Sequence, residues 1–213
     1  MKERNKNLKN IAVFASGRGS NFKAILEEIK KGNIPGKVCC VISDRQNPPV
    51  FEIARSEGIP TFHLNRKNFK SGDEYVENIL NLLDSFNIDL VVLAGYLKLI
   101  PSKVVEKYRN KIVNIHPALL PNFGGKGYYG MKVHEAVIES GVKITGVTVH
   151  FVDERYDNGP IILQEPVRVL PEDTPETLAH RVLEVEHKVF PKVVKAFCED
   201  KLEVKGRKVI WKE

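Results

Sequence analysis

Ile11-Ala12-Val13-Phe14-Ala15-Ser16-Gly17-Arg18-Gly19-Ser20-Asn21 sets a short apolar run, a glycine-bearing turn and a helix start in direct succession. An apolar run of that length closed by turn residues reads as a buried parallel strand. Ser20 or Asn21 caps the following helix, which ends near Gly32. The same kind of run recurs at residues 38–42, 61–64, 90–94 and 112–116, mostly apolar or β-branched. Ahead of the fourth run, Ser71 and Glu74 form a capping box, and Val76, Ile79, Leu80, Leu83 and Phe86 follow at helical spacing. Strands alternating with helices predict an α/β fold, a mostly parallel central sheet with helices on both faces.

After Pro117 the pattern changes. A loop carrying Gly124, Gly125, Gly127 and Gly130 leads to a helix over 131–140, then to strands over 145–152 and 161–169 with a turn at Asp157 to Pro160. The sheet is therefore expected to become mixed in its C-terminal part. Thr174 as cap and Pro175 at the first helical position open a helix to about Glu199, with a bend expected at Pro191. Residues 202–204 and 208–211 read as a hairpin or solvated tail behind a core of residues 10–200, all within one domain, 1–213.

At 213 residues and 42% hydrophobic, the chain can bury a full core. Its net charge of +6 sits at the two ends, +3 in residues 1–10 and +3 in residues 201–213, which leaves the rest neutral. A basic face that tracks a nucleic-acid backbone is not expected from that distribution. Three cysteines, two of them the adjacent Cys39 and Cys40, make neither a disulfide framework nor a zinc site. The apolar run behind the charged N-terminal residues is too short for a signal peptide or a membrane span. A cytoplasmic protein without metal, membrane or nucleic-acid partner is expected.

Three places carry chemistry. The turn from Ser16 to Asn21 opens a helix, where backbone N–H groups and the helix dipole favour an anion. Asp44 stands where a dinucleotide-binding domain keeps its ribose-binding acid, but Phe22 occupies the third small position of that fingerprint, so a single phosphate suits the turn better. Asn114 and His116, two apart on one strand, share a face at the sheet edge where open α/β sheets place ligands. A carboxamide and an imidazole side by side can hold a carbonyl oxygen and the oxyanion formed when a nucleophile adds to it. Asp157, if its turn folds over the same cleft, would orient His116 and raise its pKa toward neutrality. His63, His134 and His187 lack metal-ligand spacing, and no nucleophile elbow is present. Electrophile stabilisers without a protein nucleophile imply transfer of a group between two substrates.

Asn114-Ile115-His116-Pro117-Ala118-Leu119-Leu120-Pro121 resembles the formyltransferase family that uses 10-formyltetrahydrofolate. Residues 16–21, 93–96, 150–153, 157–160 and 186–191 agree with it, so the likeness spans about residues 10–195. The resemblance implies a Rossmann-like formyltransferase fold and transfer of a formyl group from the folate, a co-substrate, to the primary amine of glycinamide ribonucleotide in purine synthesis. It gives the ribonucleotide phosphate to Gly19, Ser20 and Asn21 and the ribose hydroxyls to Glu186. It gives the folate to Leu97, Lys98, Leu99, Ile100 and Asn114, and the catalytic roles to Asn114, His116 and Asp157. Many relatives have Met-Arg where this chain has Leu97-Lys98, which replaces a planar guanidinium by a point charge. The loop over 122–130 and Gly72 also depart from the family pattern, and no contact is assigned there. Length disfavours the family's transfer-RNA formylating and folate-deformylating branches. A nicotinamide-dependent oxidoreductase, resting on Asp44, and a non-catalytic nucleotide-binding module are the alternatives from other classes.

Overall fold

Residues 8–212 are described by the computed structural model. The basic residues Lys2, Arg4 and Lys6 lie outside the described residues. The five expected parallel strands form as β1 (Lys9–Phe14), β2 (Gly36–Ser43), β3 (Thr61–His63), β4 (Leu90–Leu93) and β5 (Ile112–His116). They stand in the order β3-β2-β1-β4-β5, every neighbouring pair parallel. Two further strands, β6 (Ile144–Phe151) and β7 (Ile161–Arg168), continue the sheet antiparallel, so it is mixed at that side.

Strand periodicity sorts the core into two layers. Ile11, Val13 and Ala15 face one side with α1 (Ser20–Lys30), α2 (Val50–Ser56), α5 (Met131–Ser140) and α6 (Pro175–Cys198). Ala12 and Phe14 face the other side with α3 (Gly72–Ser85) and α4 (Ser102–Lys107). Of the apolar stripe read on α3, Ile79 and Leu83 are buried against the sheet, joined by Tyr75, which lies outside that stripe, while Val76, Leu80 and Phe86 are partly buried.

Helix ends differ from the sequence reading in two details. Neither Ser20 nor Asn21 caps α1: the cap is Gly19 in the left-handed region, and Ser20 is already helical. At α3 the Ser71 hydroxyl accepts from the Glu74 N–H at 3.1 Å, but the Glu74 carboxylate reaches Lys70 N rather than Ser71 N. A reciprocal box closes instead at α6, between Thr174 and Thr177. The helical run passes through Pro191 unbroken.

The basic C-terminal segment is part of the sheet, not a solvated appendage. β8 (Leu202–Lys205) and β9 (Lys208–Trp211) are joined by Gly206 and Arg207, and β9 pairs parallel with β7 at Ile161. Trp211 Nε1 donates to the Ile162 carbonyl at 3.0 Å, fixing the hairpin against β7.

Candidate active site

Strand order reverses at β1, so the turns after β1 and β4 leave in opposite directions and open a crevice at their C-terminal ends. Two bonds set the crevice floor: Ser16 N donates to the Gly95 carbonyl at 3.1 Å, and Leu97 N donates to Ser16 Oγ at 3.1 Å. Ser16 Oγ in turn donates to Asp44, which is 8% exposed. One carboxylate oxygen of Asp44 is thus engaged in anchoring the glycine turn. Phe22 is fully buried in the core, as its bulk implied.

Gly19 has φ 79°, and a Cβ there would stand 2.5 Å from Val50 Cγ2. The turn therefore needs glycine both for its backbone and for the approach of α2. It forms one end of a cleft of about 350 Å³ that also takes in Ser20, Asn21, Arg45, His134 and Glu186. No side chain caps α1, so its first N–H groups are free for a ligand. Asn21 does not simply face the anion: its Nδ2 donates to Glu186 Oε2 at 2.8 Å while its Oδ1 is buried without a partner. Burial raises the Glu186 carboxyl to about 7, and the bond from Asn21 only partly offsets this.

The three residues expected to act together do meet. Asn114 Nδ2 lies 3.3 Å from Asp157 Oδ1, and His116 Nδ1 lies 3.5 Å from Asp157 Oδ2. Gly159 is what allows the Asp157 turn to fold back, since a Cβ there would stand 1.9 Å from the Phe151 carbonyl oxygen. His116 is 4% exposed. Its pKa is lowered, not raised as the sequence reading had it: burial outweighs the charge of Asp157 and the bond to Phe123 O. Burial pulls Asp157 upward, but His150, His116 and the N–H of Gly125 together hold it below the usual carboxylate value.

One member of this cluster escaped the sequence reading. His150, opposite Asn114 across β5 and β6, accepts from Asn114 Nδ2 at 3.1 Å and donates from Nδ1 to the Phe151 carbonyl at 2.7 Å, which fixes its tautomer. The signal was present. Thr148 and His150, two apart on one strand, mirror Asn114 and His116, but only the antiparallel register sets the pairs opposite each other. Of the four residues that follow β4, Leu97 borders the first cleft, whereas Lys98 and Leu99 border a second one, of about 450 Å³ and mostly apolar, with Arg66, Tyr75 and Val76. The Ile100 side chain is in the core, so it has only backbone to offer a ligand there.

An amide and an imidazole side by side, a pair able to hold a carbonyl oxygen, in a cluster that contains no serine or cysteine, suit a reaction whose nucleophile arrives with a substrate. Together with the crevice at the strand reversal, this defines the class as an α/β group-transfer enzyme for small molecules. Residues 9–194 match the formyl transferase family, and the chain belongs to it. It is 47% identical to the chloroplastic phosphoribosylglycinamide formyltransferase of Arabidopsis thaliana, over 91% of this chain and 67% of that one. It is 38% identical to phosphoribosylglycinamide formyltransferase of Bacillus subtilis, over 88% of this chain and 94% of that one. It spans about two thirds of the plant relatives' length and more than nine tenths of the bacterial ones'. The crystal structure of glycinamide ribonucleotide transformylase 1 from Symbiobacterium toebii superposes with a TM-score of 0.90 at 39% identity, covering 97% of this chain and 95% of that one.

Proposed function

We propose that the chain transfers the formyl group of 10-formyltetrahydrofolate to the primary amine of glycinamide ribonucleotide, a step of purine synthesis. The convergence of Asn114, His116 and Asp157 beside an anion-binding helix start is the observation that carries this reading. The names of the relatives point the same way.

The helix start at Gly19, Ser20 and Asn21 takes the phosphate, and Glu186 accepts from the ribose hydroxyls. The folate supplies the formyl group, bordered by Leu97, Lys98, Leu99 and Ile100. A mostly apolar cleft with the cations of Lys98 and Arg66 at its wall fits an aromatic, anionic co-substrate. Asn114 and His116 hold the formyl oxygen, and the amine nitrogen attacks the formyl carbon. As that oxygen becomes an oxyanion, its charge adds to that of Asp157 and raises the proton affinity of His116, which burial alone depresses. His116 then passes a proton toward the leaving folate nitrogen. Asp157, through water, helps to remove the proton the amine gives up as the new C–N bond forms. Three free, buried cysteines suit a reducing, cytoplasmic setting.

A formyl-transfer assay tests the reading, with glycinamide ribonucleotide set against other amines and against water. Transfer to the ribonucleotide well above the rest is the expected result. Hydrolysis to free formate as the main outcome would assign the chain to deformylation instead.

A further inference from the structure

His134 has no metal-ligand spacing in the sequence, and the cluster of Asn114, His116, His150 and Asp157 does not include it. In the structure it is 5% exposed, on α5, and lines the same cleft as Gly19, Asn21 and Glu186. Its Nδ1 is one of four buried side-chain polar atoms without a hydrogen-bond partner among the described residues, and Asn21 Oδ1, in the same cleft, is another. A core histidine is ordinarily satisfied by backbone or a neighbouring side chain. A buried histidine with no hydrogen-bond partner among the described residues, lining the same cleft as the orphaned Asn21 Oδ1, points to a ligand there.

We propose that His134 contacts the glycinamide arm of the ribonucleotide, donating a hydrogen bond from Nε2 to the arm's amide carbonyl oxygen. The proposal rests on the substrate reading given above. Three arguments carry it.

The tautomer comes first. Nδ1 is sealed in with nothing to donate to, and a buried N–H without an acceptor is rarer and more costly than an unfilled acceptor. The ring proton therefore belongs on Nε2, and the side chain offers the cleft a donor. Charge comes second. Burial, and then the proximity of His116, hold His134 down to about 4, so the ring is neutral at physiological pH. A neutral donor can polarise and align a carbonyl without protonating the nearby amine, which must be the free base to attack. Position comes third. A charge on His116 is felt at His134, and the cleft also includes Pro117, the residue after His116. That sets His134 near His116, at the reacting end of the ribonucleotide.

The test compares His134→Leu, which keeps the bulk and loses the donor, with His134→Gln, whose amide nitrogen can stand in for Nε2–H. His134→Leu should raise the KM for glycinamide ribonucleotide about tenfold, with the folate KM within about twofold of wild type, and His134→Gln should recover most of the loss. An analogue with the arm's carbonyl replaced by methylene should bind wild type about tenfold more weakly and His134→Leu no worse still. In wild type, ¹⁵N spectra of labelled histidine should show the Nε2–H tautomer, with a His134 resonance that moves when the ribonucleotide is added. This last measurement needs no variant to fold. An Nδ1–H tautomer, an unmoved resonance, or an unchanged ribonucleotide KM in a folded His134→Leu overturns the proposal. If wild type formylates some other amine and not the ribonucleotide, the substrate reading falls and this one falls with it. Normal activity on the ribonucleotide with an indifferent His134 overturns this one alone.

Discussion

The main-chain carbonyl oxygen of Phe123 lies 2.7 Å from His116 Nε2, so the loop above the crevice holds the imidazole of His116. The same loop holds the acid, through a 2.9 Å bond from Gly125 N to Asp157 Oδ2. Phe123 at φ 53° and Gly125 at φ 92° give the loop the left-handed backbone that brings both groups into reach. A formyl oxygen that bonds His116 through Nε2 must displace the Phe123 carbonyl. Residues 122–130, to which the sequence assigned no contact, thus hold His116 and Asp157 through their backbone.

His116→Ala should lower kcat by about 10³ while the folate Kd changes less than about threefold, since the lost interaction belongs to the oxyanion and not to the bound folate. The variant also loses the anchor for Phe123, so cleavage by a protease within residues 122–130 should become faster. Turnover close to wild type would remove His116 from the chemistry. Unaltered proteolysis would show that the bond to Phe123 does not hold the loop.

Asp157→Asn takes away the charge that works against burial at His116, so the imidazole pKa should fall further below its ordinary value. At neutral pH kcat should fall by about 10² or more, and the alkaline fall of the pH–rate profile should move to lower pH. The stability sign runs with the acid itself. Its pKa is lowered on folding, so its stabilising contribution is present above the unfolded value and is lost as pH falls through the folded one. A profile whose limbs stay in place, at whatever height, would show that Asp157 does not tune His116.

The parallel half of the sheet was legible because its strands are short, mostly apolar runs closed by turn signals, and both core layers follow from alternation in β1. Asn114 and His116 were legible for the same reason, as polar residues on one face at a strand's end. Asp157 could be named but not placed, because nothing local says where a turn forty residues away comes to rest. His150 and His134 depend on register and on what α5 packs against, both of which are tertiary facts. The lowered pKa of His116 was read with the wrong sign because the sequence displays the neighbouring charge and conceals the depth of burial, and burial is the larger effect. The β8–β9 hairpin could be read from Gly206, but its attachment to β7 through Trp211 could not.

Gly19→Ala combines two penalties. Its φ of 79° is costly for any residue with a Cβ, and that Cβ would press on Val50 at 2.5 Å, so α2 must shift. A loss of about 2–4 kcal/mol in unfolding free energy is expected by urea denaturation. In whatever fraction remains folded, ribonucleotide affinity should drop more than folate affinity, because the displaced helix start is the end of the cleft proposed to take the phosphate. Equal loss of both ligands would mean that the whole crevice has collapsed.

Glu186→Gln separates a carboxylate held for a substrate from one held for the fold. Glu186 is 7% exposed and keeps its proton in the folded chain up to about pH 7, whereas an ordinary glutamate releases it near 4.5. Between those values the folded state binds more protons than the unfolded one, so stability declines as pH rises through that window and the penalty is complete above about 7. The amide carries no such penalty and can still accept from Asn21. Glu186→Gln should therefore match wild type near pH 4.5 and exceed it by at most about 3 kcal/mol at pH 8, read from urea unfolding at the two pH values. Binding reverses the preference. Ribose hydroxyls donate to the ionised form and pull its pKa down, so wild type should release protons on taking up glycinamide ribonucleotide near pH 7. Calorimetry in buffers of different ionisation enthalpy should detect that release and find it missing in Glu186→Gln, along with a weaker ribonucleotide affinity. A stability difference that does not vary with pH would show that Glu186 is ionised throughout. Proton release that survives in the variant would assign the titrating group elsewhere in the cleft.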